Sequence, residues 1–368
     1  MTKKPTNTFD VLFLATDAYG GTGGIALYNR DAIAALDVNA RVTSIIVVPR
    51  VVATALEPIP KKAVFDQSGL GSAVAYVRAI GRHIRSNRNI GVIYCGHVNL
   101  IPIAYLASKW LNIPWALCLY GVEAWQPIPR FLPRVLAKYA DLVISLSEVT
   151  HERFLAWCPI APSRCCIVPN AVHLDQFKIL PKDPALLEKY GLQGRKVIMT
   201  LGRLDPVEQA KGFDRVIKML PELKKQVPNI AYLIVGKGDD KARLEAIADD
   251  HGVSDLVRYT GFIAEADKPN IYALADAYVM PSTGEGFGFV YTEAMACGIP
   301  VVGSSIDGSR EALRNGMLGP LVDPFDPKAL LAATLAALAQ EKSIPEGLDY
   351  FKFSNFATRL NGNIDAIT

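Results

Sequence analysis

Two carboxylates with seven residues between them, Glu285 and Glu293, bracket a glycine-rich turn in Ser282-Thr283-Gly284-Glu285-Gly286-Phe287-Gly288-Phe289-Val290-Tyr291-Thr292-Glu293. A carboxylate accepts hydrogen bonds at both oxygens, which suits the vicinal hydroxyls of a ribose or a hexose. Upstream, Arg203 and Lys211 stand eight positions apart in a loop bounded by Gly202 and Gly212. A planar guanidinium fork beside a compact ammonium makes a pair suited to a diphosphate. The glycines let backbone come close to a ligand. A helix starting after Gly288 would add free N–H groups and a positive dipole end, both favourable to an anion. Together these residue types describe a site for a molecule carrying phosphates and sugar hydroxyls.

Such residues need strands to aim them. Tyr278–Pro281 reads as a strand end, about Phe289–Cys297 as a helix stopped by Gly298, and Ile299–Val302 as the next strand. The same unit opens the chain: strand Val11–Ala15, loop Asp17–Gly24, helix Ile25–Leu36. It restarts at strand Lys196–Leu201, after a polar, proline-containing linker. Strand, glycine loop and helix in repetition predict an α/β chain of two doubly wound, Rossmann-like domains, with functional loops at the strands' carboxyl ends. His97 ends the strand Ile90–Cys95 and so points at such a crevice. Gly21-x-Gly23-x-x-Ala26 satisfies a loose dinucleotide fingerprint, but the next strand ends in Pro49-Arg50, with no acid to hold an NAD ribose. A helix over Ser72–Asn87 is expected to turn Val74, Val77, Ile80 and Ile84 to the core and Arg78, Arg82 and Arg85 outward. Residues 49–71 read as irregular.

The Glu285/Glu293 pair around Gly-Phe-Gly-Phe resembles the E-x7-E motif of the retaining family 4 glycosyltransferases, and Glu293-Ala-Met-Ala-Cys-Gly-Ile-Pro-Val-Val-Gly-Ser304 is similar to the same family. So are Gly202-Arg203 with Lys211-Gly212, Val235-Gly236-Lys237-Gly238, Ser305–Glu311, Leu318–Pro324 and Ile167-Val168-Pro169-Asn170. The likeness is strong from about 195 to 330 and weaker in the first half. It implies the GT-B architecture, two Rossmann-like domains facing across a cleft: 1–175 on the acceptor side, 176–345 for the nucleotide-sugar, and 346–368 as a helix returning to the first domain.

The resemblance also implies roles. Gly23 and Gly24 lie near donor phosphates. Gly236 belongs to the donor site, and the turn with Phe262 and Ile263 holds the nucleobase through backbone groups. Gly286, Phe287, Gly288, Phe289 and Val290 form the donor loop and helix start. Glu293 takes the ribose, Glu285 the donor sugar, and His97 reaches that sugar from the first domain. Tyr120-Gly121-Val122-Glu123 resembles a (His)-Gly-x-Glu segment, with Tyr120 in place of the frequent histidine and Glu123 as an acceptor contact. Retention in the family is explained by attack on the face the leaving group departs from, so the two glutamates are expected to bind rather than to attack. No Asp-x-Asp occurs; no metal or other cofactor is expected, and the nucleotide-sugar is a substrate. Readings of other classes are an epimerase or phosphorylase on this fold, a non-catalytic nucleotide-sugar binder, and a dinucleotide-dependent dehydrogenase.

Composition sets the remaining bounds. The 368 residues, half of them hydrophobic, suffice for two cores. The net charge of +3 is uneven: through Leu174 there are 17 Lys/Arg and 10 Asp/Glu, hence +7, and the remainder holds 22 and 26, hence −4. A basic first half suggests an anionic membrane surface or acceptor, such as a lipid-linked glycan, and no nucleic-acid motif accompanies it. The six cysteines form no CxxC pair and fit a reducing compartment. With no apolar run of membrane-spanning length, the chain is expected to be cytoplasmic, peripheral on the membrane's inner face.

Overall fold

Largely apolar runs become the inner strands of two parallel sheets, as strands covered on both faces must. The computed structural model describes residues 8–21, 23–52, 58–206 and 209–368. The basic start Met1–Pro5, Thr22 of the first glycine loop, and Val207 and Glu208 of the Arg203–Lys211 loop lie outside the described residues. The chain divides into two compact units, one reaching to Ala171 and resuming at Phe353–Thr368, the other Val172–Lys352.

The first unit runs β1 (Phe9–Ala15), α1 (Gly24–Val38), β2 (Val42–Pro49), β3 (Ala63–Phe65), α2 (Ala73–Ser86), β4 (Ile90–Gly96), α3 (Ile101–Leu111), β5 (Trp115–Leu119), α4 (Phe131–Leu136), β6 (Leu142–Ser145), α5 (Glu148–Leu155) and β7 (Cys165–Ile167). The second runs α6 (Pro184–Lys189), β8 (Lys196–Leu201), α7 (Phe213–Gln226), β9 (Ile230–Val235), α8 (Lys241–Asp250), β10 (Val257–Tyr259), α9 (Lys268–Ala273), β11 (Ala277–Val279), α10 (Phe289–Ala296), β12 (Val301–Ser304), α11 (Ser309–Ala312), β13 (Leu321–Val322) and α12 (Pro327–Leu338). The last helix, α13 (Phe353–Ile367), belongs to the first unit.

The sheet orders are β3-β2-β1-β4-β5-β6-β7 and β10-β9-β8-β11-β12-β13. Both wind outward in two directions from a central pair, β1/β4 and β8/β11, the doubly wound pattern. Helix starts follow local chemistry: the Ser72 hydroxyl accepts the Ala75 N–H at 3.0 Å, and the Ser147 hydroxyl that of Thr150 at 3.1 Å. α13 packs on α1 through Tyr28 edge-on to Phe356 at 5.3 Å, and Asn361 donates to the Ala35 carbonyl at 2.7 Å.

Two expectations change. The 49–71 stretch contains β3, an edge strand whose three residues are too few to show a period. On α2, the buried residues are Tyr76, Ala79 and Ile80, spaced i, i+3, i+4, whereas Val74 and Val77 are 59% and 51% exposed. Ile80 is in the core as expected and Ile84 packs against it, but Tyr76 and Ala79 take the places expected for Val74 and Val77, so the stripe is rotated. Val77 and the edge of Ile84 line a surface groove with Ile103, Leu106 and Trp110 of α3.

Candidate functional site

In a sheet wound both ways from its centre, the loops leaving the two central strands diverge and open a crevice at the carboxyl edge. In the second unit these are the loops after β8 and β11. They are joined by a Thr283 N–H to Ala210 carbonyl bond of 2.7 Å. Lys211 from the first loop ion-pairs with Glu285 from the second, whose side chain is almost wholly buried. Arg203 is two-thirds exposed, with Nε 3.6 Å from the Asp205 carboxylate. The structure thus brings Lys211 and Glu285 together directly and leaves the Arg203 fork largely in solvent.

Three loops of this unit run backbone against backbone. A methyl group at Gly236 would sit 1.9 Å from the Gly202 carbonyl oxygen, and φ there is 139°, so only glycine fits. The Gly236 N–H donates to the Gly261 carbonyl at 3.1 Å. This joint carries Phe262, 61% exposed with the Lys237 ammonium 5.1 Å from its ring centre, and the half-buried Ile263. Gly286 and the first-turn residues Phe289 and Val290 are partly exposed beside Gly288, which precedes α10. The first N–H groups of α10 have no partner inside the helix. Phe287 does not join them: its ring is buried edge-on to Phe351 at 5.4 Å, so only its backbone is available to a ligand.

Glu293 is buried on α10, and its carboxylate is engaged: Tyr272 donates to it at 2.8 Å and the Lys268 ammonium lies 3.2 Å away. Burial pulls the Lys268 ammonium down, but Glu293 and Glu265 outweigh it and hold the group above the usual lysine value. Lys268→Met should strand the Glu293 charge in the interior. Thermal or urea unfolding should then show a loss of about 3–5 kcal/mol, as for other broken buried pairs. Lys268 and Tyr272 give no signal in the sequence, because they meet Glu293 only through the return of α9 against α10.

At the carboxyl edge of the first unit, Gly23 caps α1 with φ 95° and is exposed with Gly24. His97 follows β4; its Nδ1 accepts the Asn99 N–H at 3.1 Å, and burial lowers its pKa from 6.5. The ring is therefore neutral at pH 7 with its proton on Nε2, a hydrogen-bond donor. The buried Tyr120 hydroxyl lies 2.7 Å from Asn29 Oδ1 and 2.9 Å from the Gly96 carbonyl, and Asn29 in turn donates to the Asp17 carbonyl at 2.7 Å. The tyrosine thus ties the loops after β1, β4 and β5. Glu123 accepts the Tyr120 N–H at 2.6 Å, so this carboxylate braces its own turn.

The described residues contain no helix long and apolar enough to cross a membrane. Arg50, which follows β2, donates to the Ser72 carbonyl at 2.8 Å and lies over the Tyr76 ring.

Comparison with known proteins gives the family and the fold. The model of glycosyl transferases group 1 matches residues 183–347, and that of glycosyltransferase family 4 matches residues 22–176. A GDP-mannose-dependent alpha-(1-6)-phosphatidylinositol monomannoside mannosyltransferase of Mycolicibacterium smegmatis is 36% identical over 225 residues, 59% of this chain and 58% of that protein. A phosphatidyl-myo-inositol mannosyltransferase of Mycobacterium tuberculosis is 40% identical over 171 residues, 46% of this chain and 42% of that protein. The chain thus spans about half the length of the curated relatives it matches. Among solved structures, Anabaena HepE in complex with UDP and glucose superposes with a TM-score of 0.74 at 21% identity, covering 97% of this chain and all of that one. The lipopolysaccharide outer core galactosyltransferase WaaB, in its apo form, does so with 0.73 at 18%, covering 97% and 99%. Matched by both halves of the family and by its fold, the chain belongs to the family 4 glycosyltransferases of the GT-B fold.

Proposed function

We propose that this enzyme transfers a hexose, with retention of anomeric configuration, from a GDP-linked donor to a lipid-linked acceptor at an anionic membrane surface. The observation that carries the reading is the Lys211–Glu285 pair at the switch point of the second sheet, beside the start of α10. The choice of GDP and of a lipid acceptor is supported by the mannosyltransferase relatives, whose names specify GDP-mannose or phosphatidylinositol acceptors.

In this reading the donor's anomeric C–O bond to the diphosphate breaks and its electron pair passes to the departing phosphate oxygen. Lys211, Arg203 and the N–H groups of α10 stabilise that charge. The acceptor hydroxyl forms the new bond on the same face and gives its proton to the departing phosphate. Glu285 accepts hydrogen bonds from donor sugar hydroxyls, and Glu293, neutralised by Lys268, supports the ribose side. Gly236, Phe262 and Ile263 frame the base.

Calorimetric titration with GDP, UDP, ADP and NAD, without added metal, tests the donor. GDP should bind selectively. Selective binding of UDP would move the donor base, and binding of NAD alone would overturn the glycosyl-transfer reading of this site.

A further inference from the structure

The turn between β12 and α11 holds Glu285 at both ends of its backbone. Asp307, fully buried, accepts the Glu285 N–H on Oδ2 at 2.8 Å, while the Gly308 N–H donates to the Glu285 carbonyl at 2.8 Å. Asp307 Oδ2 also accepts the Ser282 hydroxyl at 2.7 Å, and Oδ1 accepts the Ser309 N–H at 3.0 Å. Gly308 lies so close that a methyl group there would stand 2.2 Å from the Gly286 carbonyl oxygen. Ser282 ends the segment leaving β11, so one carboxylate ties the start of the donor loop to the residue that carries its functional side chain.

We propose that Asp307 is a positioning residue, holding the Glu285 backbone so that its carboxylate meets both Lys211 and the donor sugar. This rests on the reading of Glu285 given above. The carboxylate form is required by its partners. Each oxygen faces a fixed backbone N–H, from Glu285 on one side and Ser309 on the other. Asparagine has one acceptor oxygen, so either orientation sets its NH2 against an N–H. Asp307→Asn therefore releases one side of the clamp with almost no change in volume. A displacement of about 1 Å at a positioning group is enough to lower turnover on the order of 10²-fold.

The test compares wild type and Asp307→Asn by calorimetry with GDP and with GDP-mannose, and by turnover of GDP-mannose. The variant should bind GDP within about threefold of wild type, lose the affinity that the sugar adds, and turn over about 10²-fold more slowly. Ser282→Ala keeps both backbone bonds and removes one donor to Asp307. It should show the same sugar-specific loss at about three- to tenfold, and decides the matter if Asp307→Asn does not fold. Equal weakening of GDP and GDP-mannose, or turnover close to wild type, overturns the positioning role while leaving the donor reading intact. A wild-type protein that binds none of GDP, GDP-mannose, UDP and UDP-glucose overturns both.

Discussion

Lys211→Ala should lower turnover about 10²–10³-fold, the scale on which removal of one stabilising donor for a developing oxyanion is felt. Two effects add in this variant. The departing diphosphate loses a positive charge, and Glu285, almost wholly buried, loses the partner that compensates its carboxylate. Separating them takes two further variants. Glu285→Gln keeps the shape and removes the charge, so Lys211 no longer has a pair to satisfy. If Lys211 acted only by neutralising Glu285, adding Lys211→Ala to Glu285→Gln would change nothing further. A contact of Lys211 with the phosphates predicts a second fall in turnover on that background, together with weaker binding of GDP. Arg203→Ala should weaken GDP binding less than Lys211→Ala, because its side chain stands two-thirds in solvent, where charge is screened. Near-normal turnover in Lys211→Ala would remove the residue from the site.

The motifs that mark this candidate site were legible because each is contiguous in the chain, Gly202–Gly212 in one loop and Ser282–Glu293 in another. The strand Lys196–Leu201 has the bounds expected for it and is followed by Gly202. Arg203 and Lys211 lie in the loop that follows it, and Glu285 and the start of α10 in the loop after β11. What escaped the sequence are partners made by packing. Lys268 reaches Glu293 across 25 positions and Asp307 reaches the Glu285 N–H across 22, each through the return of a neighbouring loop or helix. A spacing argument has no access to such pairs. Glu123 shows the reverse limit: a motif marks its position, but its bond to the Tyr120 N–H appears only in the geometry of the turn. The rotation of α2 has the same origin, since valines at helical spacing look alike whether they meet a sheet or a second helix at the surface.

That rotation bears on where the enzyme works. Variants that reverse the charges or replace the apolar tips of the α2–α3 face should weaken binding to anionic vesicles and leave GDP binding unchanged. The face presents Val74, Val77, Leu106 and Trp110, the last two 62% and 74% exposed, around a groove lined by Ile84, Ile103 and Arg85. Arg78 and Arg82 stand on the same helix, and α4, which packs on α3, adds exposed Phe131 and Leu132 next to Arg130 and Arg134. Apolar tips for the acyl boundary ringed by guanidinium groups for headgroups are what an interfacial surface requires. A large apolar side chain contributes about 1.5–3 kcal/mol on burial, and each basic residue about 1 kcal/mol near an anionic leaflet. Leu106→Ser with Trp110→Ser should therefore weaken partition onto phosphatidylglycerol-containing vesicles by at least about tenfold at any salt concentration. Arg78→Glu with Arg85→Glu should weaken it at least as much at low salt and progressively less as salt is raised. Equal binding to neutral vesicles would overturn the electrostatic half of the argument. A dimer in sedimentation that dissociates on Trp110→Ser would make a second copy of the chain, rather than a membrane, the occupant of this face.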